Sequence, residues 1–294
     1  MTKISGIFAA SMSVLNSDLS LNVEKTIDHA EKLIDQGCHG TAIFGSTGQA
    51  QLISISEKIK LLNKLSTSKY KKKHLIGTGL NSLNETINFL KIANSLNFKK
   101  FLIMPPAYYK YEDSDVIEFY SKIVNAVPDC EIILYNFEKL CGYKFSIDCV
   151  KELVNKFPKQ IVGVKDSSYN LFENLKLPNF SIFPGSELKL LKGLELGCSG
   201  IITATCNVTA KMSRQVFDNF YLGKEQTVNE KLCQVRSVFD KYNLISGLHT
   251  FFSQENEIYK NILPPLSLLN ESDEKNLIEN LKKLKFDDDS SMAA

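Results

Sequence analysis

Eight short runs rich in β-branched and aromatic residues recur along the chain, each followed by a longer amphipathic stretch, and this alternation limits the possible folds more than any other feature. The runs fall at 6–10, 40–44, 74–78, 100–104, 131–135, 160–164, 181–184 and 200–204. Between them apolar residues return at helical spacing, as Val23, Ile27, Ala30, Leu33 and Ile34 do on one face. Ser54-x-x-Glu57 reads as a capping box opening the second helix, and Ser146 or Asp148 could cap the fifth. Strands that alternate with helices pair in parallel through right-handed crossovers, and eight such units are the number that closes a (β/α)₈ TIM barrel. An open doubly wound sheet is the competing α/β architecture. It is weakened because no Gly-x-Gly-x-x-Gly follows the first run.

After the eighth run the alternation stops. Residues 210–221, 225–242, a segment near 253–262 and 272–284 all read as helical, with Pro264-Pro265 interrupting them. The expected organisation is one structural unit, with a barrel core over 1–208 and the last barrel helix plus a C-terminal helical appendage over 209–294. Asp287-Asp288-Asp289-Ser290-Ser291 reads as a frayed acidic tail.

A chain of 294 residues with 44% hydrophobic and 23% charged residues can bury a large core, and disorder is not indicated. A net charge of +2 offers no field for nucleic acid or an anionic membrane. The one basic cluster, Lys69-Tyr70-Lys71-Lys72-Lys73-His74, reads as a solvated loop and helix end. Seven cysteines at 38, 130, 141, 149, 198, 206 and 233 form no Cys-x-x-Cys pair and no metal-gathering spacing with histidine, which fits a reducing compartment. The N-terminus has no leader-like apolar region, and no stretch of about 20 apolar residues follows. The expectation is a soluble cytoplasmic protein without a metal or organic cofactor.

In a parallel barrel every strand delivers its C-terminal residue to the same face, so chemistry is sought there. Lys165 stands directly after Ile161-Val162-Gly163-Val164. A single lysine at a strand end usually snorkels into solvent. A desolvated lysine, by contrast, is a source of neutral amine that can form a Schiff base with a ketone. Gly45-Ser46-Thr47-Gly48 offers a tight turn with backbone N–H groups and two hydroxyls. A small keto-acid carboxylate fits that loop better than a phosphate, since no Lys-Ser/Thr pair follows the second glycine. Tyr135 closes the fifth run, where a phenol would point into the barrel mouth. The adjacent Asn136 reads as structural.

Three segments in order, Gly45-Ser46-Thr47-Gly48-Gln49, Tyr135-Asn136 and Gly163-Val164-Lys165-Asp166-Ser167-Ser168, give the chain its family likeness. On them it resembles the dihydrodipicolinate synthase / N-acetylneuraminate lyase family of class I aldolases over nearly its whole length. The resemblance implies a (β/α)₈ barrel with C-terminal helices, a homotetramer built as a dimer of dimers, and a Schiff base between lysine and pyruvate or another 2-oxo acid. By resemblance Lys165 forms the imine, Tyr135 donates and accepts the proton, and Thr47 relays it. Ser46 and Thr47 would bind the keto-acid carboxylate, while Gly185, Ile202 and Glu187 would line the substrate pocket. Tyr108 matches the tyrosine that the family inserts into a neighbouring subunit's site.

Departures from the family pattern narrow the reading. The synthase branch clamps its second substrate with an arginine where this chain has Leu140, and the neighbouring Lys139 lacks the bidentate fork. Sialic acid lyases follow the strand-seven glycine with a residue and then two acids, whereas Gly185-Ser186-Glu187-Leu188 keeps one, and Ala204 replaces a serine. Gln49 replaces the loop glutamate, and Ser13-Val14 stands where Thr-Pro is common; both are expected to affect packing. The expected function is a pyruvate-dependent lyase that cleaves or forms a carbon–carbon bond, with pyruvate and an aldehyde as partners and a 2-keto-3-deoxy or 4-hydroxy-2-oxo acid as substrate. 4-Hydroxy-tetrahydrodipicolinate synthase and a keto-acid-binding barrel without turnover are the alternatives.

Overall fold

The computed structural model describes residues 3–286, so the acidic 287–291 segment lies outside the described residues. Eight parallel strands form one sheet in the order β7-β6-β5-β4-β3-β2-β1-β8. They are β1 (Gly6–Ala10), β2 (Gly40–Ile43), β3 (His74–Gly77), β4 (Lys100–Ile103), β5 (Glu131–Asn136), β6 (Ile161–Asp166), β7 (Ser181–Pro184) and β8 (Gly200–Thr203). Where β7 meets β8, Ser199 N donates to Ile182 O at 2.8 Å, and the sheet curls into a nearly closed (β/α)₈ barrel.

Eleven α-helices run among the described residues: α1 (Val23–Asp35), α2 (Ile55–Leu65), α3 (Leu83–Ser95), α4 (Asp113–Ala126), the short α5 (Glu138–Cys141), α6 (Ile147–Lys156), α7 (Leu190–Glu195), α8 (Cys206–Tyr221), α9 (Asn229–Phe239), α10 (Leu244–Ser253) and α11 (Glu271–Lys283). Their starts follow the side chains that satisfy the first free N–H groups of a helix. Asn22 caps α1, Ser82 caps α3 and Ser146 caps α6, while Ser54 and Glu57 form the expected reciprocal box at α2.

Side chains alternate across each strand, which divides the core into two layers. Phe8, Leu75, Leu102, Ile133, Phe183 and Ile202 fill the barrel interior, together with Tyr135. The opposite faces meet the helices, as Ile43, Ile103, Leu134 and Val164 do. A second outer cluster joins Leu232, Phe239, Leu248, Leu277 and Leu281 of the C-terminal helices to α8.

The appendage departs from its expected boundaries. The proposed limit at residue 208 falls inside α8, which is bent at Thr209 (φ −112°, ψ 16°), where the threonine hydroxyl bonds back to Thr205 O. The helix expected over 225–242 ends at Phe239, because Asn243 bonds to the N–H groups of Ile245 and Ser246 and starts α10. The segment near 253–262 holds only a 3₁₀ turn, Glu257–Lys260, with Asn256 as its cap. From this region Leu263 N donates to Gln49 Oε1, which ties the appendage to the loop after β2. No described helix is long and apolar enough to cross a membrane.

Candidate active site

Lys165 and Tyr135 are register partners on adjacent strands, so the barrel's own hydrogen bonding sets them side by side at the C-terminal ends of β5 and β6. Both are buried. Lys165 Nζ lies 4.1 Å from the centroid of the Tyr135 ring, over its electron-rich face. Among the described residues this amine has no hydrogen-bond or ion-pair partner.

The loop after β2 brings a hydroxyl to the phenol. Ser46 Oγ and Tyr135 Oη are 2.9 Å apart. Thr47, to which the family likeness assigns the relay, is buried beside it, but the hydroxyl that meets Tyr135 is that of Ser46. The chain enters this loop through Phe44 and leaves it through Gln49, both left-handed with φ of 59° and 54°. Such conformations are strained in residues other than glycine and persist only where the surroundings enforce them. Phe44 is held by burial, and Gln49 by His249 Nε2 and the Leu263 N–H. Ser13 donates to Gly48 O at 2.7 Å, so the Ser13 and Gln49 departures do fix the loop in place. Gly48 has no alternative in that packing, since a Cβ would sit 2.9 Å from Ser11 O.

The Asp166-Ser167-Ser168 segment is scaffold. The Asp166 carboxylate accepts from the N–H groups of Tyr169, Leu171 and Phe172 and from Asn136 Nδ2. Burial raises its pKa, with those donors pulling the other way. Asn136 also donates to Asn170 and accepts from Phe145 N, which fits its structural reading. Gly185 closes against the same turn, where a Cβ would meet Ser167 Oγ at 2.3 Å. Ile202 is buried inside the barrel.

Glu187 does not face an open pocket. Its Oε2 accepts from Thr203 at 2.9 Å, Thr205 at 2.6 Å and Arg236 Nη1 at 3.0 Å, and Oε1 lies 3.1 Å from the Thr209 hydroxyl, whose one proton is shared with the Thr205 carbonyl. Three donors converge on Oε2 in a buried ion pair, so the carboxylate is engaged by the protein itself, a bracing role beside the expectation that it lines the substrate pocket. Burial alone would lower the Arg236 pKa, but Glu187 and Asp240 outweigh it and raise the pKa above its ordinary value.

Tyr108 is 90% exposed, with φ of 90°, and packs edge-on against Tyr109, so it takes no part in this chain's own site. Leu140 is 44% exposed at the rim of the mouth. Among the described residues no three of His, Cys, Asp and Glu gather as a metal would require.

Sequence reasoning missed Arg236 and Lys58. Lys58 is fully buried on α2, and its Nζ donates to Thr78 O at 2.7 Å. Desolvation lowers its pKa to about 8 against an opposing pull from Glu85. Each was visible only as a polar residue at a buried position of a helix face. His29 and Asn207 were also missed. They are 2.8 Å apart, and Asn207 also holds the Ala10 and Ala204 carbonyls.

The family model for the dihydrodipicolinate synthetase family matches residues 3–284. The chain belongs to that family. It is a lyase of this group, and its relatives carry more than one activity name. A protein from Chloroflexus aurantiacus described as an uncharacterized DapA-like lyase is 28% identical over 282 residues, spanning 92% of this chain and 94% of its own. An N-acetylneuraminate lyase from Clostridium perfringens is 27% identical over 231 residues, 76% of this chain and 79% of its own. The solved 4-hydroxy-tetrahydrodipicolinate synthase of Methylacidiphilum fumariolicum SolV superposes with a TM-score of 0.88 at 22% identity over 99% of both chains, a likeness of fold.

Proposed function

We propose that the chain is a pyruvate-dependent class I aldolase acting on 4-hydroxy-2-oxo acids. The observation that carries this reading is the buried Lys165 amine over the Tyr135 ring, with the Ser46 hydroxyl on the phenol. In the cleavage direction the Lys165 amine attacks the C2 ketone and, with loss of water, forms an iminium that acts as electron sink. Tyr135, left as the phenolate after protonating the departing carbinolamine hydroxyl, takes the C4 hydroxyl proton through the Ser46 hydroxyl, and the C3–C4 bond breaks toward the iminium. The aldehyde leaves, the enamine is protonated at C3, and water releases pyruvate. The turn's own hydrogen bonds begin with the N–H groups of Gly48 and Gln49, so the Ser46 and Thr47 N–H groups and the Thr47 hydroxyl are suited to the keto-acid carboxylate.

Tyr108, fully displayed on the surface, fits a role in a neighbouring subunit's site, and the proposal includes a homotetramer that would use it. Synthase activity on pyruvate and aspartate semialdehyde is the second reading. Leu140 at the arginine position disfavours it, and near-normal turnover with that pair would favour it instead. The test of the main reading is borohydride reduction in the presence of pyruvate followed by intact mass. An adduct in the wild type that disappears in Lys165→Ala is expected; its absence from the wild type would remove the reading.

A further inference from the structure

Beside the Ser46–Tyr135 hydrogen bond, at the ends of β2, β4 and β5, lies a cavity of about 230 Å³. Its walls are Leu52, Met104, Leu140, Ile245, Pro265 and Leu266, over a floor of Phe44 and Leu102, and no lining residue carries a charge. The polar groups at its boundary are few. Gln49 is turned to His249 and Leu263, and Gln51 sits at the exposed rim. Within this chain that leaves the Ser46 and Tyr135 hydroxyls, at one end, to meet a bound carbonyl oxygen.

We infer that the aldehyde partner of this site carries an uncharged apolar group, an aromatic ring or a short branched chain; the inference rests on the pyruvate-aldolase reading above. In the addition direction C3 of the Lys165 enamine bonds to the aldehyde carbon. The former carbonyl oxygen takes a proton from Tyr135, and water then hydrolyses the iminium. The substituent on that carbon is left in the cavity.

Three physical costs select among substituents. A polyhydroxylated tail would lose its water without gaining partners, at about 1–3 kcal/mol for each unpaired hydroxyl. The opposite side of the mouth compensates poorly, because Glu187 is fully buried and already braced by Arg236, Thr203 and Thr205. A carboxylate would be desolvated against Leu140 with no cation in the lining. An apolar group, by contrast, gains roughly 25 cal/mol for each Å² removed from water. Size is no obstacle, since a dry cavity of about 150 Å³ already accommodates benzene.

The test is the rate of pyruvate addition to benzaldehyde, isovaleraldehyde, glyceraldehyde and succinic semialdehyde, using the purified full-length protein. The pyruvate–borohydride adduct is measured on the same preparation. The expected result is an adduct together with kcat/KM for the two apolar aldehydes about tenfold or more above the other two, the value of one unpaired hydroxyl. Leu140→Arg, at a half-exposed position, should then move the preference toward succinic semialdehyde. An adduct accompanied by equal or faster reaction with glyceraldehyde or succinic semialdehyde, or by no reaction with any aldehyde, overturns the apolar assignment and leaves the aldolase reading standing. Absence of the adduct overturns both.

Discussion

The two halves of the barrel mouth use buried polar residues in opposite ways. At β5 and β6 the Lys165 amine rests on the Tyr135 ring, and the phenol meets a single serine hydroxyl. At β7 and β8 the polar groups engage one another, with Glu187 taking donors from Thr203, Thr205 and Arg236. A buried polar group whose bonds are all made inside the protein rigidifies the fold. One that retains bonding capacity toward a cavity is available for chemistry. The difference explains why one acid beside the strand-seven glycine, although it looks like a substrate ligand in the sequence, acts as a brace.

The contrast is most sharply tested on its reactive side. Tyr135→Phe removes the proposed proton donor while keeping the ring under Lys165, and should lower kcat by about 10²–10⁴-fold. Pyruvate trapping by borohydride should persist in this variant. Loss of trapping together with turnover would give the phenol a part in imine formation instead.

On the braced side Glu187→Ala should act through stability. It leaves the buried Arg236 guanidinium with Asp240 as its remaining acid, and breaking a buried pair costs up to about 3–5 kcal/mol, readable as a lower urea midpoint at unchanged slope. A raised KM for the oxo acid with an unchanged urea midpoint would return Glu187 to the substrate.

A smaller effect should appear in acid, in the scaffold around both halves. Burial lowers the pKa of His29 and of His74 from 6.5 to about 4. The unfolded chain therefore binds more protons than the native one between those values. Stability is full above pH 6.5 and falls as the pH drops toward 4, by on the order of 3 kcal/mol for each histidine. His29→Gln should reduce that slope in urea titrations without abolishing it, since burial lowers the pKa of His39 and His249 as well. An unaltered slope would show that other groups carry it.

Much of this arrangement is legible in the sequence, for identifiable reasons. The eight strands are short, β-branched and bounded by turns, and neighbouring strands in a parallel barrel carry their last residues to one face, so Lys165 and Tyr135 could be placed together before any geometry was known. Other features depend on information that no local pattern carries. The choice between Ser46 and Thr47 depends on the course of a loop that is left-handed at Phe44 and Gln49, which two adjacent hydroxyls in a sequence do not reveal. The Glu187–Arg236 pair joins residues 49 positions apart, and in sequence Arg236 shows only its i,i+4 relation to Asp240. The start of α10 was hidden because Tyr242 and Asn243 continue an apolar-polar rhythm. Only the cap formed by the Asn243 side chain reveals the break.

Two lysines, Lys165 and Lys58, are buried close to the mouth, and they provide the most direct test. Lys58 Nζ is held by the Thr78 carbonyl, whereas Lys165 Nζ faces the phenol ring. Peptide mapping of the protein reduced with borohydride in the presence of pyruvate should locate the reduced adduct on Lys165, with Lys58 unmodified. An adduct on Lys58, or spread over surface lysines with Lys165 untouched, would contradict the assignment of the reactive amine.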